Sequence, residues 1–112
     1  MPKKDEREPF YRVDVPEAAE MVGQPDVAVI DVREPHEYNA GHIPGATLIP
    51  VNSVFARREE LPKDKKIVFV CAVGQRSALA AELAAAAGLP PEQLYTLDGG
   101  TEAWRKAGHP VE

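Results

Sequence analysis

The sequence predicts an α/β sandwich, with three layers built on a mainly parallel five-stranded sheet. Helix-like and strand-like segments alternate through most of the chain, the pattern that builds parallel sheets with crossover helices. Two strand-like runs, Val27 to Val32 and Ile67 to Val70, are almost continuously apolar, as expected of strands covered on both faces. Several of the eleven prolines (Pro16, Pro50, Pro62, Pro90, Pro91) fall at the joints between segments, so they punctuate the fold rather than dissolve it.

The elements follow in order. Met1 to Pro9 is charged and, apart from Met1, lacks apolar residues; it is read as a flexible tail, residues 1–9, preceding a single domain, residues 10–112. Phe10 to Val13 is a short strand. Asp14-Val15-Pro16-Glu17 opens a helix, proline and glutamate suiting its first turn, and Gly23 closes it. Val27 to Val32 is the next strand, interrupted near its end by Asp31. Glu34 to Tyr38 reads as one helical turn, Gly41 to Ala46 as a bend, and Thr47 to Ile49 as a strand stopped by Pro50. Asn52 is expected to cap a short helix through Arg58. The polar loop Pro62 to Lys66 leads into the strand Ile67 to Val70, whose valine, isoleucine and phenylalanine favour extended backbone. Alanine and leucine from Ala78 to Leu89 favour a helix. Leu94 to Leu97 is the last strand, and Thr101 is expected to cap a final helix ended by Gly108 and Pro110.

Composition narrows the function. With 112 residues the chain has room for one compact core. A net charge of −5 argues against a nucleic-acid partner. No apolar run reaches the length of a membrane span and none follows the N-terminus as a signal peptide would, so no membrane partner is expected. The single cysteine excludes an internal disulfide and a CxxC pair, and the expected compartment is the cytosol, where a thiol stays reduced.

That cysteine, Cys71, sits between the apolar strand and the Ala/Leu helix, in Cys71-Ala72-Val73-Gly74-Gln75-Arg76-Ser77. A strand-to-helix loop aims successive amides at one point, and the helix N-terminus adds about half a positive charge there. Such a setting lowers a thiol pKa and favours the nucleophilic thiolate. Gly74 lets the loop curl. Arg76 is out of place by dipole rules at a helix start unless an anion sits in the loop and Arg76 helps to hold it. Ser77 is a candidate helix cap or a hydroxyl donor to a sulfur anion. Asp31, Cys71 and Asp98 each follow a strand-like run, so in a parallel sheet all three lie at the edge where α/β proteins bind ligands.

Three segments resemble the rhodanese-type sulfurtransferases: DVREPHEYNAGHIPGA from Asp31 to Ala46, CAVGQRS from Cys71 to Ser77, and DGGTEAWRKAGHP from Asp98 to Pro110. They occur in order and at the family's spacing, from about Tyr11 to the end of the chain. The resemblance implies a parallel sheet with helices on both faces and a single-domain enzyme. It implies that Cys71 takes a sulfane sulfur from thiosulfate or a related donor as a persulfide and yields it to cyanide, a thiol or an acceptor protein. No metal and no organic cofactor are implied. Cys71 would be the nucleophile; Ala72, Val73, Gly74, Gln75, Arg76 and Ser77 would bind the substrate.

Asp31, Arg33, Glu37 and His42 are expected in supporting roles. Asp31 and Arg33 read either as substrate contacts or as structure, with Arg33 meeting Glu37 and Asp31 holding the loop; buried charges need partners, which favours structure. His42 reads as a general base or, preferably, as a brace for the Gly41–Gly45 bend, since a low-pKa thiolate needs no base. His36, His42 and His109 with Cys71 match no zinc spacing. Two other functions compete. One is a phosphatase or arsenate reductase of the same fold, whose loop carries five residues between Cys and Arg where this chain has four. The other is a non-catalytic persulfide carrier or regulatory docking module.

Overall fold

A computed structural model describes residues 1–112. Its strands are β1 (Lys3–Lys4), β2 (Tyr11–Val13), β3 (Val27–Asp31), β4 (Thr47–Leu48), β5 (Lys66–Val70) and β6 (Leu94–Leu97). Its helices are α1 (Val15–Met21), α2 (Pro35–Asn39), α3 (Gln75–Ala86) and α4 (Gly100–Lys106). The sheet has the order β1-β2-β6-β5-β3-β4. Strands β2, β6, β5, β3 and β4 run parallel, as expected.

The expectation of five strands needs one correction. Within the segment read as a tail, Lys3 and Lys4 pair antiparallel with Arg12 and Tyr11, so the sheet is mixed and six-stranded. Both lysines are exposed and the pairing is made by the backbone alone, so no side-chain pattern announces it. Lysine is also a residue that protects a sheet edge from further pairing. The Met1 ammonium reaches the Glu17 carboxylate.

Alternation along the strands sorts the core into two layers. Ile67, Phe69 and Cys71 face the side covered by α3, together with Ile30, Leu94, Ala80, Ala81 and Ala84. Val68 and Val70 face the other side with Val29, Leu97, Ala18 of α1 and Trp104 of α4. Alanines on the buried side of α3 let the helix lie close to the sheet.

Local chemistry explains the helix boundaries. Asp14 and Glu17 form a reciprocal capping box at α1, each side chain accepting the other's amide at 2.9 Å. The segment after Pro50 forms two separate 3₁₀ turns, Val51–Ser53 and Arg58–Glu60, rather than one helix capped by Asn52. Helix α4 begins two residues earlier than expected: Gly99, at φ 81°, is its cap, and Thr101 lies inside it with another task. No helix is long and apolar enough to cross a membrane.

Candidate active site

Because β3, β5 and β6 run parallel, Asp31, Cys71 and Asp98 all emerge at one sheet edge, but only Cys71 occupies a reactive setting. The Cys71 thiol is 1% exposed, at the floor of the loop that joins β5 to α3. Gly74 caps α3 with φ 106°, a left-handed conformation natural only to glycine, and this curl sends its amide to Cys71 Sγ at 3.0 Å. The Ser77 hydroxyl lies 3.6 Å from the same sulfur, so Ser77 faces the sulfur while Gly74 caps the helix. Burial is the largest influence on this thiol and raises its pKa. The Ser77 hydroxyl and the amides of Ser77, Gly74 and Val73 together outweigh it, so the pKa lies below that of an ordinary thiol.

A layer behind the loop holds it in shape. Thr96 Oγ1, fully buried on β6, donates to Ser77 Oγ at 2.5 Å. The Thr101 and Glu102 amides at the start of α4 donate to the carbonyls of Cys71 (2.8 Å) and Ala72 (3.1 Å), and the Thr101 hydroxyl adds a bond to the Cys71 carbonyl at 3.2 Å. At Gly100 a Cβ would lie 2.4 Å from both of those carbonyl oxygens, so the Gly99–Gly100 turn fits only without a side chain. Thr96 and Thr101 belong to this layer although the loop motif does not single them out. The signal for Thr96 was available: a hydroxyl in an apolar strand, on the same face as Cys71, requires a partner.

Arg76 does not point a free guanidinium into the loop. It forms a bidentate pair with Glu37 of α2, at 2.8 and 3.0 Å, which raises the arginine pKa. The pair and the Glu34 amide, which also donates to Glu37 at 2.9 Å, hold the Glu37 carboxyl down to about 2. The expected meeting of Arg33 with Glu37 is therefore corrected. Arg33 instead grips Asp31, with contacts of 2.7–3.1 Å, and donates to the Gly41 carbonyl at 2.8 Å. Asp31 in turn accepts the Arg33 amide at 3.0 Å. Both residues are buried, and a bidentate buried ion pair that also ties down the Gly41 carbonyl reads as a structural joint.

His42 stacks on Tyr38 with ring centroids 3.7 Å apart. Its Nδ1 meets the Tyr38 carbonyl at 3.0 Å and its backbone pairs with Glu112. It braces the bend through Tyr38 and Glu112 and makes no hydrogen bond to Cys71. Asp98 is turned away to Arg12, at 2.9 Å. His109 packs on Trp104, and no three histidine, cysteine or acidic side chains gather as a metal site. The largest surface cavity (about 550 Å³) lies away from the Cys71 loop, beside Glu102, Ala103, Arg105 and Lys106. Val73 and Gln75 stand exposed on the outside of the loop.

A family model described as rhodanese-like domain matches residues 14–107. The chain is 33% identical over 98 residues to the thiosulfate sulfurtransferase GlpE of Pseudoalteromonas translucida, covering 88% of this chain and 91% of that one. A rhodanese-related protein of Thermoplasma volcanium superposes with a TM-score of 0.81 at 32% identity, over 90% of this chain and 96% of that one. A Rhodopseudomonas palustris protein described as a possible tyrosine phosphatase also superposes at 0.81, with 33% identity over 100% of this chain and 99% of that one.

Proposed function

This chain belongs to the rhodanese-like domain family, and from that premise we propose that it is a sulfurtransferase, a thiosulfate-using enzyme of the rhodanese type that works through a Cys71 persulfide. The observation that carries the proposal is the cradle itself. One buried sulfur faces the Gly74 amide and the Ser77 hydroxyl, at the start of α3 and with its pKa lowered.

The Cys71 thiolate attacks the outer sulfur of thiosulfate. The new S–S bond forms as the bond to the sulfonate sulfur breaks, and its electron pair leaves with sulfite. Charge balances: a thiolate and a dianion give a persulfide anion and sulfite. The preorganised amides stabilise that anion with little reorganisation, and no proton has to move in this step. A nucleophilic acceptor then takes the outer sulfur and returns the thiolate; cyanide gives thiocyanate, and a thiol or an acceptor protein gives a new persulfide. The single cysteine has no neighbour with which to resolve the persulfide as an internal disulfide, so the sulfur waits for an external acceptor. Activity in the cytosol, where such thiols stay reduced, suits this chemistry.

A phosphatase reading meets an obstacle in the loop. Four residues separate Cys71 from Arg76, and both terminal nitrogens of Arg76 are bound to Glu37 rather than turned inward to clamp a phosphoryl group.

The test is mass spectrometry of the intact protein. Excess thiosulfate should add one sulfur atom, cyanide should remove it as thiocyanate, and Cys71→Ser should do neither. A wild type that stays at its unmodified mass, or turnover of an aryl phosphate in place of sulfur loading, overturns the proposal. Rapid steady-state turnover with small donors and acceptors marks an enzyme; loading without turnover marks a carrier module.

A further inference from the structure

Two arginines stand near Cys71, and each is cancelled by a carboxylate. Arg33 is locked to Asp31 in the interior. Arg76 is held at both terminal nitrogens by Glu37, and this second pair is at the lip of the site, where the Arg76 and Glu37 side chains are 34% and 26% exposed. Glu37 is fixed from two directions, because the Glu34 amide at the start of α2 holds the same carboxylate oxygen that Arg76 Nη1 binds. The Arg76 cation also feels the charges of Cys71 and Asp31, so it belongs to the electrostatic surroundings of the sulfur. The rim therefore offers an approaching donor amide dipoles and a neutral ion pair in place of a free positive charge.

On the sulfurtransferase reading, we propose that Glu37 is a specificity-determining residue that sets which donor charge the site accepts. By neutralising Arg76 it withholds the attraction that would favour a dianion. Singly charged sulfane-sulfur donors, such as organic thiosulfonates and persulfides, then compete on equal terms with thiosulfate. With a thiosulfonate the Cys71 thiolate takes the terminal sulfur, the S–S bond to the sulfonyl sulfur breaks, and its electron pair leaves as a sulfinate. Two negative charges enter and two leave.

The experiment measures KM for thiosulfate and for benzenethiosulfonate, with cyanide as acceptor, in wild type, Glu37→Gln and Glu37→Gln/Arg76→Gln. Glutamine preserves the shape and the capping role of Glu37 while unmasking the Arg76 charge. Coulomb energy scales with the donor's charge, so the logarithm of the gain for a dianion is twice that for a monoanion. Glu37→Gln should lower KM about tenfold for thiosulfate and about threefold for benzenethiosulfonate. The gap should shrink as ionic strength rises toward about 0.5 M. The double variant, neutral again, should return the ratio of the two KM values to that of wild type.

An unchanged ratio in Glu37→Gln, or a raised thiosulfate KM, overturns the proposal. Should Glu37→Gln fail to fold, the wild type decides. A neutral rim gives a thiosulfate KM nearly independent of salt, and a steep rise with salt reveals an uncancelled cation and overturns it. A wild type that gains no sulfur mass from either donor refutes the sulfurtransferase reading; one that loads normally while the KM ratio ignores Glu37 refutes this proposal alone.

Discussion

Replacing Ser77 with alanine removes the only side-chain hydroxyl facing the Cys71 sulfur, and its consequences can be worked from the geometry. A hydrogen bond to a charged group contributes about 1.5–3 kcal/mol. The separation of 3.6 Å is long even for sulfur, so the lower figure applies. About 1.4 kcal/mol is a factor of ten in an ionisation equilibrium, so Ser77→Ala should raise the Cys71 pKa and cut the thiolate fraction below the inflection about tenfold. Ser77 is fully buried, so water does not take the place of the lost hydroxyl. The assay is the rate of iodoacetamide alkylation against pH, whose inflection reports the thiolate. An inflection that does not move in Ser77→Ala refutes the assignment of Ser77 as a thiolate donor. A wild-type inflection at the free-thiol value of about 8.5 refutes the cradle as a whole.

The same substitution has a second consequence that separates electrostatics from packing. The Thr96 hydroxyl, also fully buried, donates to Ser77 Oγ; Ser77→Ala strands it at a cost of about 1–3 kcal/mol. Adding Thr96→Val removes the stranded group and should recover part of that stability without restoring the Cys71 pKa. Linkage fixes the sign of the pH effect. The folded pKa of Cys71 is depressed, so the thiolate's contribution to stability is full above the unfolded thiol's pKa and is lost as pH falls through the folded one. The wild type should therefore gain on Ser77→Ala/Thr96→Val as pH rises into the alkaline range.

Two further outcomes are expected. Gly100→Ala should lower Tm and abolish sulfur loading, because its Cβ meets two backbone oxygens at 2.4 Å that have no flexible side chain to yield; overpacking costs about 1–3 kcal/mol and the left-handed φ of 62° adds about 1–2 kcal/mol. Normal thermal unfolding and loading in this variant would contradict the packing described. The Glu37 carboxyl, held down to about 2, contributes stability that is present above its unfolded pKa and lost as pH falls through about 2. Urea midpoints of wild type and Glu37→Gln should therefore differ at pH 7 and converge toward pH 2, and a constant difference would show that the pair with Arg76 is not the source.

Much of the site was legible because its chemistry is local. Gly74 and Ser77 lie within the seven-residue stretch that begins with Cys71, and a strand-to-helix loop dictates where their amides and hydroxyl go. The parallel sheet was legible for a related reason: Val27 to Asp31 and Ile67 to Val70 carry apolar residues on both faces. What escaped reading is made by pairing at long range. Glu37 and Arg76 are 39 positions apart, and only the placement of α2 beside the start of α3 joins them; a sequence that offers Glu37 both Arg33 and Arg76 does not say which it takes. Lys3 and Lys4 join the sheet through backbone groups that every residue possesses. Thr101 has the composition of a helix cap, but Gly99 takes that place because the turn needs positive φ, which frees Thr101 to face the Cys71 loop.

That exchange explains how the loop can turn its amides toward a sulfur. Each peptide in it carries a donor and an acceptor, and both must be satisfied in a buried position. The carbonyls of Cys71 and Ala72 point away from the sulfur and are taken by the first amides of α4, at 2.8 and 3.1 Å. While Cys71 is a thiol the Ser77 hydroxyl gives its one proton to the Gly74 carbonyl at 3.2 Å and accepts from the sulfur; once Cys71 is a thiolate that proton turns to the sulfur. These contacts orient the peptides from behind and leave the Gly74 amide free to donate forward to Cys71 Sγ. The terminus of α4 thus shapes the cradle without touching the sulfur. Gly100 is the residue that lets it come close enough, and the cradle is as much a product of the Asp98-Gly99-Gly100 turn as of the loop that carries the cysteine.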